Sequence, residues 1–298
     1  MKFFKDLPQF DIMGKRTLCY VLSAVFMLAS IGLFFTKGIN YGIDFKGGTL
    51  VQVRFLSPPE LGLIRNLFSS ATNKEVAITS FGDQINNEIL ITLPQDVFGQ
   101  KANMSEEVTK VFGDSLKGHE IRRIETVGGK VGDELKEKAM YAGIFALIGI
   151  LAYVGVRFKF QYGLAAVAAL FHDVIITIGF FILADKEFSL TIVAAVLTII
   201  GYSLNDTIVV FDRIRENVAK LPKTKLLTII NRSINESLSR TILTSLTTFL
   251  VVVALFIFGG EMIHDFCYTM MVGLIVGTYS SIFVASPIVW MMDSKRKD

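Results

Sequence analysis

Six long apolar runs dominate the chain: Thr17–Thr36, Ala139–Val156, Phe160–Ala184, Phe188–Phe211, Thr241–Gly259 and Phe266–Met292. Each is long enough to cross about 30 Å of hydrocarbon at about 1.5 Å per helical residue. The pattern predicts six transmembrane helices. Between the first and second runs the period changes. Gly48–Phe55, Val76–Phe81, Glu88–Leu93 and Ile121–Val127 alternate as strands, the middle two joined by a turn with Gly82, Asp83 and Asn86-Asn87. Helical stretches follow Pro58-Pro59 to about Ser70 and cover Met104–Leu116. The order β-α-β-β-α-β is that of a ferredoxin-like α+β sandwich. The expected division is residues 1–36 as N-terminus and first helix, 37–138 as the α+β domain, and 139–298 as a five-helix bundle with a connector at 212–240 and a short tail.

Basic residues orient the spans. Lys2, Lys5, Lys15 and Arg16 precede the first run, Arg157 and Lys159 follow the second, and Lys295, Arg296 and Lys297 close the chain. Arg213, Arg215, Lys220, Lys223, Lys225, Arg232 and Arg240 crowd the connector, whereas the loops on the other side hold only Lys186. The positive-inside bias predicts cytoplasmic termini and an extracytoplasmic α+β domain. The first run exceeds a signal-peptide core and no A-x-A-like site follows, so it is expected to be retained. The connector Asp212–Arg240 reads either as a helix lying along anionic headgroups or as a solvated loop.

Composition sharpens this. The chain is 52% hydrophobic and 19% charged with net charge +3, so the placement of charge says more than its total. Cys19 and Cys267 fall near opposite membrane faces, too far apart for a disulfide. There is no G-x-x-x-x-G-K-[ST] phosphate loop, and His119, His172 and His264 stand singly without zinc-ligand spacing. The expectation is a protein that is not an enzyme, has no bound cofactor or metal, and carries its function in the membrane.

Ionisable residues inside apolar spans cost a few kcal/mol or more and mark candidate sites. Asp206, on the fourth span, shares a helix face with Thr198 and Tyr202; Arg240, at the start of the fifth, shares one with Thr244 and Thr248. These two could relay protons, could be a fixed interhelical ion pair, or Arg240 could be an interfacial anchor. His172-Asp173, midway along the third span, is either a second relay or a hydrogen-bonded pair holding the bundle. Depth alone favours Asp173, since Asp206 is only about 9 Å along its helix from charged Asp212. Gly273-x-x-x-Gly277 is a close-packing motif for a partner's helix or for one of this chain's own.

Three motifs carry a resemblance. Asn40 to Thr49 (NYGIDFKGGT), with Asp44, Gly47 and Gly48, resembles the opening motif of the SecF family, as does Val127 to Leu135 (VGGKVGDEL). Gly201 to Asn217 (GYSLNDTIVVFDRIREN), with Gly201, Asn205, Asp206 and Thr207, is similar to the family's most specific stretch, followed by Ser239-Arg240-Thr241 and Thr244-Ser245. Gly129 departs from the pattern, where the family usually has proline.

The resemblance implies a bacterial inner-membrane subunit of the protein-export apparatus, related to the RND transporters. It implies SecD as partner, association with YajC, the SecYEG channel and YidC, contact with unfolded polypeptide and membrane lipid, and no nucleic acid. Protons would be the coupling ion, with Asp206 and Arg240 as the proton-pathway pair. A carboxylate that alternates between an ion pair and a neutral form can bias two helix packings. One charge crossing 100 mV supplies about 2.3 kcal/mol, whereas a decisive switch needs about 5.5 kcal/mol; two protons, or an added pH gradient, would suffice. The alternatives are a passive scaffold completing the SecD half and an RND-type small-molecule exporter. A single ferredoxin-like module leaves the exporter little room for a substrate pocket.

Overall fold

The computed structural model describes residues 9–74, 76–82, 86–95, 97–98, 103–116 and 118–292. Lys2, Lys5, Asp83, Lys295, Arg296 and Lys297 lie outside the described residues. The chain divides into two compact units: residues 41–140 with 187–190, and the remainder.

Six helices have the length and apolarity to cross a membrane. They are α1 (Arg16–Thr36), α5 (Gly129–Arg157), α6 (Phe160–Leu183), α7 (Leu190–Lys220), α8 (Leu226–Phe258) and a composite last span. That span is α9 (Glu261–Ser280), a π-turn (Ser281–Ala285) and α10 (Ser286–Met292). The π-turn has a local cause. Pro287 has no N–H, and its ring crowds the carbonyl four residues earlier, Phe283, so a regular α-turn cannot be kept there. Ser286 Oγ instead donates to the Ser281 carbonyl at 2.9 Å.

The helices outrun the apolar runs. At 33 residues α8 is about 50 Å long, well beyond the hydrocarbon thickness. This corrects the reading of Asp212–Arg240: it is neither a separate interfacial helix nor a loop. Helices α7 and α8 continue through it and meet at a turn over residues 221–225, where Pro222 ends helical pairing. The turn is closed by Thr224 N–H donating to the Leu221 carbonyl at 3.2 Å. Several charges there are paired. Glu236 accepts from Arg213, Arg232 and Asn217 at 2.6, 2.8 and 2.7 Å, and Asp212 binds Arg157 and Arg215 at 3.1 and 3.0 Å. The segment before α1 is clipped to α8 by Asn231 and Asn235, whose side chains bond the backbone of Phe10, Ile12 and Met13.

Glycines set the closest approaches. A Cβ on Gly179 would lie 2.8 Å from the Ser30 Cα, so α1 and α6 touch backbone to side chain there. Gly273 and Gly277 of the small-residue motif pack within this chain, against Ile199 and Ser203 of α7.

The other unit is the α/β domain between the first two spans. Strands β1 (Gly48–Phe55), β2 (Ala77–Phe81), β3 (Glu88–Leu93) and β4 (His119–Val127) form one antiparallel sheet in the order β2-β3-β1-β4. Helices α3 (Leu61–Thr72) and α4 (Met104–Phe112) provide the crossovers, and a short helix α2 (Ile43–Lys46) precedes β1. This is the split β-α-β arrangement of a ferredoxin-like sandwich. Alternation decides the buried face: Val51 and Val53 pair with Ile91 and Ile89, and all four are buried with Ile64, Phe68, Val108 and Phe112. The helical expectation over Met104–Leu116 was one turn too long. Gly113, at φ +51°, breaks α4, and a 3₁₀ turn completes the segment.

Candidate functional site

The polar residues of the spans converge on the last helix. Gly277 seats α9 against Ser203, with 3.0 Å between a Cβ at Gly277 and the Ser203 Cβ. That approach carries the next turn, Ser280 and Ser281, to the two intramembrane carboxyls.

Asp206 on α7 is 4% exposed. Its Oδ1 accepts from Thr241 Oγ1 of α8 at 2.6 Å, and its Oδ2 accepts from Ser281 Oγ at 2.5 Å. The ion pair that the sequence left open as one reading is absent: no Arg240 nitrogen lies within 4.0 Å of an Asp206 carboxylate oxygen, and Arg240 is exposed. Helix phase explains this. Residues 240 and 241 lie about 100° apart around α8, so only one can face Asp206, and Thr241 does. The hydroxyls stacked above Arg240 do not serve Asp206 either. Thr244 donates to the Arg240 carbonyl and Thr248 to the Thr244 carbonyl, both at 3.0 Å. The expected face of Thr198, Tyr202 and Asp206 likewise splits, because an i to i+8 offset turns by about 80°. Thr198 is exposed and bonds the Ala194 carbonyl, while the buried Tyr202 hydroxyl has no hydrogen-bond partner.

Asp173 on α6 is 1% exposed and sits in a denser network. His172 Nδ1 lies 2.9 Å from Oδ1, while Ser203 Oγ and Ser280 Oγ donate to Oδ2 at 2.5 and 2.7 Å. His172 Nε2 contacts Ser23 Oγ at 3.1 Å, Ser23 contacts the Tyr279 hydroxyl at 3.1 Å, and Tyr279 donates to the Cys19 carbonyl at 2.9 Å. Four spans meet here, α1, α6, α7 and the last, and both carboxyls are enclosed by protein. The consecutive serines were missed, although Ser280-Ser281 followed by Ser286-Pro287 in an apolar run was a legible signal.

The remaining motif residues are structural neighbours of other kinds. Asp44 Oδ2 accepts the Leu190 N–H at 2.8 Å. Gly47 and Gly48 have φ +71° and +135°, and a Cβ on Gly48 would lie 2.5 Å from the Leu93 carbonyl oxygen, so only glycine fits. Thr207 is buried, whereas Gly201 and Asn205 are exposed on α7. Gly129 is the first residue of α5, the helical position that proline suits best. No three His, Cys, Asp or Glu side chains converge as metal ligands among the described residues.

The family model of the SecD/SecF C-terminal region of protein export membrane proteins matches residues 107–295, and that of the SecD/SecF GG motif matches residues 32–55. The chain belongs to the SecD/SecF family. Protein translocase subunit SecF of Calditerrivibrio nitroreducens is 45% identical, covering 100% of this chain and 98% of its own. The SecF of Haemophilus influenzae is 42% identical, covering 97% of this chain and 88% of its own. The crystal structure of SecDF from Thermus thermophilus superposes with a TM-score of 0.85 at 39% identity over 95% of this chain. This SecD/SecF family member spans 38% of that SecDF chain. The SecF relatives carry the name of a transport subunit, and their likeness together with the six apolar helices makes this a multi-pass membrane protein.

Proposed function

We propose that the chain is the SecF-type subunit of a Sec translocase accessory assembly, and that it uses the proton gradient, through Asp206, to assist polypeptide export. Relatives along the full length carry the name of SecF translocase subunits, which supports the first half. One-sided Lys and Arg placement supports an inner-membrane protein with both termini in the cytoplasm. A SecD-type partner is supported by the SecDF chain, which is much longer than this one. YajC, the SecYEG channel, YidC, unfolded polypeptide and membrane lipid follow from the family likeness alone.

The proton role rests on one observation. Asp206 is buried between α7, α8 and the π-turn, and its partners are hydroxyls rather than a fixed cation. A hydroxyl can donate to a carboxylate or accept from a carboxylic acid, so the site accommodates both protonation states without stranding a charge. A fixed Asp206–Arg240 ion pair would lack that freedom, and no such pair lies within 4.0 Å. Arg240, exposed one residue before Thr241, is the cation whose field Asp206 would feel as the bundle changes state. The test is export driven by an imposed proton gradient in vesicles holding the full complex. Asp206→Asn should remove the gradient-dependent component at equal protein level. Export equal to wild type would overturn the reading.

A further inference from the structure

We propose that Asp173 is a second proton-carrying carboxyl, coupled to Asp206 through the consecutive hydroxyls of Ser280 and Ser281. The inference rests on the reading that Asp206 takes up protons, and it adds a site to it.

Each of these serines has one hydroxyl proton and two acceptors within reach. Ser280 Oγ lies 2.7 Å from Asp173 Oδ2 and 3.1 Å from the Gly277 carbonyl. Ser281 Oγ reaches Asp206 Oδ2 and, at 3.0 Å, the Thr278 carbonyl. One proton cannot serve both acceptors at full strength. When Asp173 is ionised, Ser203 and Ser280 both donate to Oδ2. When Oδ2 gains a proton, that O–H donates to Ser280 Oγ, Ser203 still donates to Oδ2, and the Ser280 proton turns to Gly277. Asp206 behaves alike: its new O–H donates to Ser281 Oγ, Thr241 keeps its bond to Oδ1, and the Ser281 proton turns to Thr278. Only O–H bonds form and break, and the proton comes from water and returns to it.

The two readouts therefore arrive at adjacent residues where the α-helix gives way to the π-turn. π-Turns inside helices recur at functional sites because their hydrogen-bond ladder is already loosened. Protonation of either carboxyl changes whether the Gly277 or the Thr278 carbonyl, in the turn of α9 just before the π-turn, is engaged, so the last span senses both.

The titratable groups linked to Asp173 are His172, in direct contact on α6, and Tyr279 on α9, reached through Ser23 of α1; the other helix in contact, α7, faces it with Ser203. Neither is a fixed cation in contact with Asp173. His172 supplies one donor and hands its other nitrogen to Ser23, so its tautomer follows the same chain. One turn further along α6, the buried Thr177 hydroxyl has no hydrogen-bond partner among the described residues. A second carboxyl also provides the second proton that the switching energetics ask for.

The test is pH-stepped infrared difference spectroscopy on the full chain reconstituted in lipid vesicles. Wild type should show two carboxylic-acid bands growing as pH falls. Asp206→Asn should remove one. Asp173→Asn should remove the other and shift the midpoint of the one that remains. Ser280→Ala should shift the frequency of the Asp173 band, and Ser281→Ala that of the Asp206 band. If Asp173→Asn leaves the wild-type spectrum unchanged while Asp206→Asn removes a band, the inference fails and the reading of Asp206 stands. If neither substitution changes a band, both fail. Should Asp173→Asn not fold, Ser280→Ala decides, and unchanged carboxyl bands in that variant overturn the proposal.

Discussion

Asp173 on α6 and Asp206 on α7 are each hydrogen-bonded to one of two consecutive serines on the last span, Ser280 for the former and Ser281 for the latter. The Gly277–Ser203 approach fixes this geometry, because it brings α9 close enough for short hydroxyl side chains to bridge helices. Gly277→Leu should therefore separate the network while leaving the span apolar. We expect lower thermal stability of the detergent-solubilised chain and loss of gradient-driven export. Unchanged export would show that the approach is dispensable.

Asp206→Asn keeps shape and hydrogen bonding but removes the titrating proton. Assembly with the partner subunit should survive, measured by co-purification, while gradient-driven export is lost. Asp173→Asn is the companion variant. A milder export defect is expected, with a pH profile displaced from wild type; an identical profile would assign Asp173 to packing alone.

Arg240 is exposed and unpaired with Asp206 in this structure, so in the proposed role its charge would act at a distance or in another state of the bundle. Arg240→Lys keeps charge but not the planar fork and should retain part of the export rate. Arg240→Ala should lose it. If both residues serve the one proposed step, Asp206→Asn combined with Arg240→Ala should be little worse than either alone. Additive losses in the same vesicle assay would separate their roles.

The α/β domain has its own core, closed by Phe55, Phe68 and Phe112 in edge-on contacts at 5.6 and 5.4 Å. Expressed alone from Gly47 to Val127, it should unfold cooperatively in denaturant. Phe112→Ala should cost about 3–5 kcal/mol. Gly48→Ala meets the Leu93 carbonyl and a positive φ together, so it should destabilise the isolated domain as well. A non-cooperative melt of the parent fragment would refute its autonomy.

Orientation is checked with impermeant thiol reagents. Cysteines at Thr72 and Lys186 should react from outside, and those at Lys220 and Lys295 only after the membrane is opened. Labelling at Lys220 in intact cells would reverse the topology.

Six spans, four strands and their order were legible because hydrophobic periodicity is a local property. Gly48–Phe55 and Glu88–Leu93 alternate so regularly that their bounds could be read directly, and a span needs only length and apolarity. Ion pairs along Asp212–Arg240 were not legible, since the partners of Glu236 come from two helices whose phases the sequence does not relate. The site shows the same division. Asp206 and Asp173 announced themselves as charges where charge is costly, and residue type alone carries that cost. Which group answers each carboxyl was decided by helix rotation and close approach. A turn of about 100° per residue put Thr241 rather than Arg240 against Asp206, and Gly277 brought two ordinary serines into the centre of the bundle.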